Sequence, residues 1–237
     1  MYASRRIRLT AILIAALTAI VLLPAVCGAQ PAPRNIIVMI ADGCGFYHLQ
    51  AADLYAHGTP DSPLYAAFPV RLAMSTYAAG GGYDAARAAE QFDYVASGAT
   101  DSAAAATAMA CGVKTYGGAI GVDADRRPVM NVIERAEALG RATGVVTSVQ
   151  ISHATPAGFV AHNESRSNYA EIAAEMINES ALEVIMGAGH PEYDNNGRPR
   201  EGEADYRYVG GEATWAALRA GTAGGTPMAT ARPTRGR

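Results

Sequence analysis

Four short stretches carry residue types whose chemistry reaches beyond packing. Thr100-Asp101-Ser102-Ala103 opens an alanine-rich run, which places Ser102 at or near the start of a helix. Free backbone N–H groups and the positive end of the helix dipole converge there, favouring a bound phosphate or an ionised hydroxyl. Taken alone, the segment is a capping serine. Asp42 ends an apolar run and is bracketed by Gly43 and Gly45. A carboxylate on so tight a turn suits a divalent cation, and equally suits the turn itself. His153 and Thr155 stand two residues apart after a second apolar run, where both could face a metal at a strand end. Arg166, in Glu164-Ser165-Arg166-Ser167, offers a planar fork that matches phosphate, or a solvated loop charge.

Other polar residues read as ordinary. His48, His57 and His162 have no ligand partner at a recognised spacing. His190, Glu192 and Asp194 resemble a metal cluster, but their Gly-, Asn- and Pro-rich setting makes them a surface loop. Cys44 and Cys111 are either paired or free.

The elements that must hold these groups follow from pattern. Asn35–Ala41 is a continuous apolar run bounded by turn residues and reads as a buried strand, with a helix from Phe46 to Ala56. Residues 57–95 are mixed, with a possible strand over Leu72–Tyr77 and a loop at Gly80-Gly81-Gly82. Ser102–Ala110 has six alanines in nine residues and no breaker before Gly112, the composition of a helix. Helices are also expected over Asn131–Leu139 and Asn168–Ile177, and strands over Thr143–Val149 and Val184–Met186. Alternating strands and helices predict an α/β fold: a mainly parallel central sheet with helices on both faces. Ligands in such sheets lie beyond the carboxyl ends of strands, where Asp42 and His153 both fall.

The chain has 237 residues, half of them hydrophobic and 17% charged, with a formal charge of −3. This excludes a disordered or coiled-coil protein, and the missing basic excess argues against a nucleic-acid partner. Residues 1–29 read as a signal peptide: Arg5, Arg6 and Arg8 precede an apolar stretch from Leu9 to Leu23, and small residues at 27–29 offer a cleavage site. The expected location is secreted or periplasmic, with no stable membrane span after cleavage. Lipid anchoring through Cys27 is a poorer match, because Pro24 and Val26 flank it badly. Residues 30–215 form the folded part. Residues 216–237, rich in Gly, Thr, Pro and Arg, read as a disordered tail.

In combination the motifs resemble one family. Asn35-Ile-Ile-Val-Met-Ile-Ala-Asp42-Gly43-Cys44-Gly45 is similar to the first metal-binding strand of alkaline phosphatases. Thr100-Asp101-Ser102-Ala103-Ala104-Ala105-Ala106-Thr107-Ala108 resembles their nucleophile motif, and the similarity continues through Cys111–Thr115 and Gly121-Val122. His153-Ala154-Thr155-Pro156-Ala157 and Ala161-His162 with Arg166 resemble a further block, so the likeness spans residues 35–190.

The resemblance implies a metal-dependent phosphomonoesterase with Zn2+ and Mg2+ as cofactors. Ser102 would form a phosphoserine, and the zinc beside it would lower its pKa. Asp42 would bridge a zinc and a magnesium site, and Thr155 and His153 would help bind the magnesium. Arg166 would clamp two phosphate oxygens, oriented by Asp101. The substrate would be a phosphate monoester, and two copies could pair as a homodimer. The family's remaining zinc ligands lie in its C-terminal half, and no histidine follows His190. The chain therefore looks like the N-terminal half of such an enzyme, with part of its sheet absent. Two rival readings follow: an inert fragment that only binds phosphate or metal, and a related phosphodiesterase or sulfatase.

Overall fold

Alanine dominates the helix that should carry Ser102, and a small side chain can bury only by letting its neighbours come close. That rule organises the core. The computed structural model describes residues 33–60 and 68–224, so the expected signal peptide at 1–29 lies outside the described residues. The chain divides into two units, one ending at Ala41 and one beginning at Asp42.

In the first unit the expected strand Asn35–Ala41 does not form: the segment takes part in no ladder among the described residues. Ile37 and Met39 are 83% and 91% exposed. An apolar run of this kind becomes a strand only when a neighbour pairs with its backbone, and no described residue of its unit does so.

In the second unit α1 spans Phe46–His57, α2 Ala85–Glu90, α3 Phe92–Ser97, α4 Ser102–Cys111 and α5 Val132–Ala138. Strand β1 (Gly144–Gln150) follows, then α6 (Ala154–Ala157), α7 (Tyr169–Asn178) and β2 (Val184–Ala188). A 3₁₀ turn at Tyr206–Val209 leads into α8 (Gly211–Ala220). The expected strand at Leu72–Tyr77 forms no ladder either. Helix α8 runs through the boundary at which a disordered tail was expected, because Leu218 and Ala223 are buried with Trp215 and Val209.

Strands β1 and β2 pair in parallel, Val145 opposite Ile185 and Val146 opposite Met186, with a register irregularity before Gln150 meets Ala188. The chain crosses from one to the other through α6 and α7, the connection a parallel pair requires. Val145 and Ile185 pack against a core built from Ala103, Ala106, Ala154, Ala157, Ile172 and Met176. On the other face Val146, Val184 and Met186 are exposed.

The packing of α4 on α6 is close enough to require glycine at residue 158. A Cβ there would lie 2.7 Å from Ala106 Cβ and 3.1 Å from the Thr107 nitrogen. Gly158→Ala should therefore destabilise the fold by about 2 kcal/mol through overpacking, read as a shift in the urea midpoint at unchanged slope.

His162 is the second point of tension. Its Nδ1 lies 3.1 Å from Glu175 Oε1, and its Nε2 lies 3.2 Å from the Val129 carbonyl and 3.7 Å from Glu134 Oε2. Both ring nitrogens thus face acceptors, an arrangement that suits the imidazolium. Glu175 and Glu134 raise its pKa, against the opposing effect of burial. A raised pKa in the folded state stabilises below the ordinary value of 6.5, and that stabilisation is lost as pH rises through the folded pKa. Relative to His162→Gln, the parent chain should lose about 1 kcal/mol of stability as pH climbs from the histidine range into the alkaline range. Denaturant titrations of both proteins across that window check the sign.

The neighbouring Cys111 is half-buried and faces Glu134, which together push its pKa up to about 11. It stays a thiol at neutral pH. Cys44 and Cys111 are both free.

Candidate active site

Helix α4 begins at Ser102 because Asp101 caps it. The Asp101 carboxylate accepts the Ala104 N–H at 3.0 Å, and its backbone is extended as an N-cap requires. Ser102 is thus the first helical residue, and its side chain is released from capping. Gly112 closes the helix in the left-handed conformation, φ 71°.

The freed hydroxyl of Ser102 faces the side chain of Asp42 and lowers its pKa. Asp42 lies in a turn completed by Gly43 at φ 74°, a conformation that favours glycine. Its Oδ2 also accepts the Thr155 hydroxyl at 2.8 Å. The Ser102 and Thr155 hydroxyls hold the Asp42 carboxyl below its usual range, with smaller help from His153 and Arg166.

Thr155 is presented by α6, whose N-cap is His153. His153 Nε2 lies 3.4 Å from Arg166 Nη2, so the nitrogen facing the guanidinium offers its lone pair and the proton resides on Nδ1. Burial and the guanidinium charge lower the His153 pKa, which keeps the ring neutral. Its buried Nδ1 has no hydrogen-bond partner.

Arg166 arrives on the loop before α7. Its backbone N–H donates to the Gly118 carbonyl at 2.7 Å, and its Nη1 donates to Asp101 Oδ2 at 3.1 Å. Burial would raise the Asp101 pKa, but the N–H groups of Ala104 and Gly118 together with Arg166 outweigh it and hold the carboxyl low. The pair is therefore ionised on both sides.

Asp42, Asp101, Ser102, His153, Thr155 and Arg166 are joined by this one set of contacts, although they come from four separate stretches of chain. Gly118 was missed in the sequence. Its backbone serves both Arg166 and Asp101, and a glycine in a loop gives no signal of that. His190 belongs elsewhere: its ring stands edge-on to Trp215 and Tyr193, at centroid distances of 4.8 and 4.9 Å.

The donor set discriminates between metals. The oxygen donors Asp42 and Thr155 suit magnesium, which binds through one or two carboxylates and keeps several waters. His153, expected as a further ligand, does not fit that role here, because its Nε2 faces the Arg166 guanidinium and imidazole is a poor magnesium donor. Zinc needs three or four nitrogen, sulfur or carboxylate ligands. Among the described residues no group of three or more His, Cys, Asp or Glu could hold a metal ion. The described residues do not fit zinc.

An α/β domain that gathers a helix-start serine, a paired arginine and a hydroxyl-bound aspartate has the makings of a phosphoryl-transfer site. Comparison with known proteins narrows this class. The alkaline phosphatase family model matches residues 33–214, and the chain belongs to that family. It is 38% identical over 188 residues to alkaline phosphatase 4 of Bacillus subtilis, covering 74% of this chain and 38% of that protein. It is 40% identical over 152 residues to the alkaline phosphatase of Escherichia coli, covering 63% of this chain and 30% of that protein. The cold-active alkaline phosphatase of Shewanella sp. superposes with a TM-score of 0.52 at 35% identity, over 73% of this chain and 36% of its own. A TAB5 alkaline phosphatase variant, with a histidine replaced by aspartate and Mg bound in its M3 site, gives 0.53 at 31% identity, over 75% of this chain and 44% of its own. The chain thus spans less than half the length of these relatives.

Proposed function

We propose that this chain carries the nucleophile and phosphate-clamping part of a metal-dependent phosphomonoesterase. The observation that carries the reading is the Ser102 hydroxyl, uncommitted to capping and facing Asp42, beside a guanidinium held by Asp101. In this reading Ser102 Oγ attacks the phosphorus of a phosphate monoester. The ester P–O bond breaks, the alcohol leaves with a proton, and a phosphoserine remains for water to hydrolyse. Arg166 binds two phosphoryl oxygens through its fork, and Asp101 keeps that fork aimed. The helix start adds its partial positive charge to the same oxygens.

Asp42 and Thr155 would hold magnesium. A bound divalent cation supplies charge stabilisation to the developing phosphoryl oxygens. Zinc, which the family resemblance implies, enters none of these steps. Export rests on the 1–29 segment, and no helix among the described residues is long and apolar enough to cross a membrane. Pairing of two copies rests on the resemblance alone.

The test is hydrolysis of a chromogenic phosphate monoester at alkaline pH by the purified chain with zinc and magnesium supplied, against Ser102→Ala. Turnover lost in the variant supports the reading. Turnover equal in both overturns Ser102 as the nucleophile. A second reading, phosphate binding without turnover, is favoured by the missing cluster of three metal ligands among the described residues. It predicts no hydrolysis but retained affinity for inorganic phosphate.

A further inference from the structure

Thr107 lies on α4 with none of its surface exposed. A threonine inside a helix usually bonds back to the preceding turn of its own helix or faces solvent. Thr107 does neither. Its hydroxyl donates to the Ala119 carbonyl at 3.0 Å and accepts the Gly121 N–H at 3.0 Å. Both bonds reach the same separate turn, and both are buried.

That turn braces the clamp. Its Gly118 carbonyl accepts the Arg166 N–H at 2.7 Å, and its Gly118 N–H faces the Asp101 carboxylate and lowers its pKa. Two residues on, Ile120 and Asn163 exchange backbone hydrogen bonds at 2.9 and 2.8 Å. Just before it, the Tyr116 hydroxyl donates to the Glu164 carbonyl at 2.9 Å. The turn has little freedom of its own. Gly121 has φ 59°, and a Cβ on it would stand 2.2 Å from the Ala161 carbonyl oxygen. The segment carrying Arg166 is therefore fastened to residues 116–121, and Thr107 fastens those residues to the helix that begins at Ser102.

We propose that Thr107 is a positioning residue for Arg166. Its two hydrogen bonds fix the distance between the guanidinium and the Ser102 hydroxyl. The proposal rests on the reading of Arg166 as a phosphate clamp. A shape-preserving loss of the hydroxyl lets the turn drift, and a misplacement of well under 1 Å already weakens an oriented contact.

The experiment is calorimetric titration of the full chain, with zinc and magnesium supplied, by inorganic phosphate. It compares the parent, Thr107→Val, Thr107→Ser, Arg166→Ala and the double variant Thr107→Val with Arg166→Ala. The expected result is an affinity loss of about tenfold in Thr107→Val and near-parent affinity in Thr107→Ser, which keeps the hydroxyl. In the Arg166→Ala background Thr107→Val should cost nothing further, because a residue acting through Arg166 has nothing left to position. A purely packing role would lower the melting temperature and leave the affinity of the folded protein unchanged, which overturns the proposal. An additive loss in the double variant overturns it as well. If Thr107→Val does not fold, Thr107→Cys, a weaker donor and acceptor, takes its place and must fall between the parent and Arg166→Ala. Full phosphate affinity in Arg166→Ala, or no binding by the parent, overturns the clamp reading and the proposal with it. Loss in Arg166→Ala with none in Thr107→Val overturns the positioning role alone.

Discussion

Ser102→Ala is expected to abolish covalent incorporation of labelled phosphate while leaving the fold intact. The two halves of that expectation have separate physical grounds. Chemically, the variant has no oxygen at the helix start with which to form a phosphate ester, so the loss is complete rather than graded. Structurally, the cap of α4 belongs to Asp101, which keeps its bond to the Ala104 N–H. Asp42 loses one hydroxyl donor but retains Thr155. The cost of that lost bond is about 1 kcal/mol. Acid quenching of the chain with labelled phosphate, followed by denaturing electrophoresis, reads the covalent product. A melting curve on the same preparation reads the fold. Label retained in Ser102→Ala would place the nucleophile elsewhere and end the assignment. A collapsed melting curve would instead mean that the serine, not Asp101, holds the start of α4.

How much of this was legible in the chain depends on whether the cause is local. Helix α4 could be read to within a residue because its composition, its cap and Gly112 all lie inside it. Strands β1 and β2 and helix α7 were legible because each has a bounded apolar pattern. Helix α2 was missed among residues 57–95, although Asp84, which accepts the Arg87 N–H at 3.0 Å, is a cap signal in plain view. Short helices between glycine loops bury little, so periodicity has nothing to report. Asn35–Ala41 failed for the opposite reason. Its pattern is that of a buried strand, but a strand depends on partners that its own residues cannot supply. The site divides in the same way. Ser102 at a helix start and Asp42 on a tight turn are local facts. The bond between Arg166 and Asp101 joins residues 65 apart, and only a family likeness could suggest it. His162 read as a histidine without a partner, because Glu175, 13 residues away, faces it only in the fold. Thr107 read as one more residue of an alanine helix, because the turn it holds comes later in the chain.

Arg166→Ala should weaken inorganic phosphate binding about a hundredfold and barely move the melting temperature. The asymmetry follows from where the pair lies. The side chains of Arg166 and Asp101 are 26% and 28% exposed, so water screens the pair and its worth to stability is at most about 1 kcal/mol. Removing the guanidinium does not strand its partner, because Asp101 still accepts the Ala104 N–H and faces the Gly118 N–H. The Arg166 backbone bond to Gly118 does not depend on the side chain and survives the change. Binding is different, because phosphate brings its charge into a site where Asp42 and Asp101 are both held ionised. Without the guanidinium, the two carboxylates face the anion with the helix start of α4 to offset them. Arg166→Lys separates charge from shape: it restores the charge but not the fork, and should recover only part of the affinity. Equal affinity in Arg166→Lys and the parent would show that charge alone matters here. Unchanged inhibition by inorganic phosphate in Arg166→Ala would remove the clamp, and leave the contact with Asp101 as an ordinary ion pair beside a helix cap.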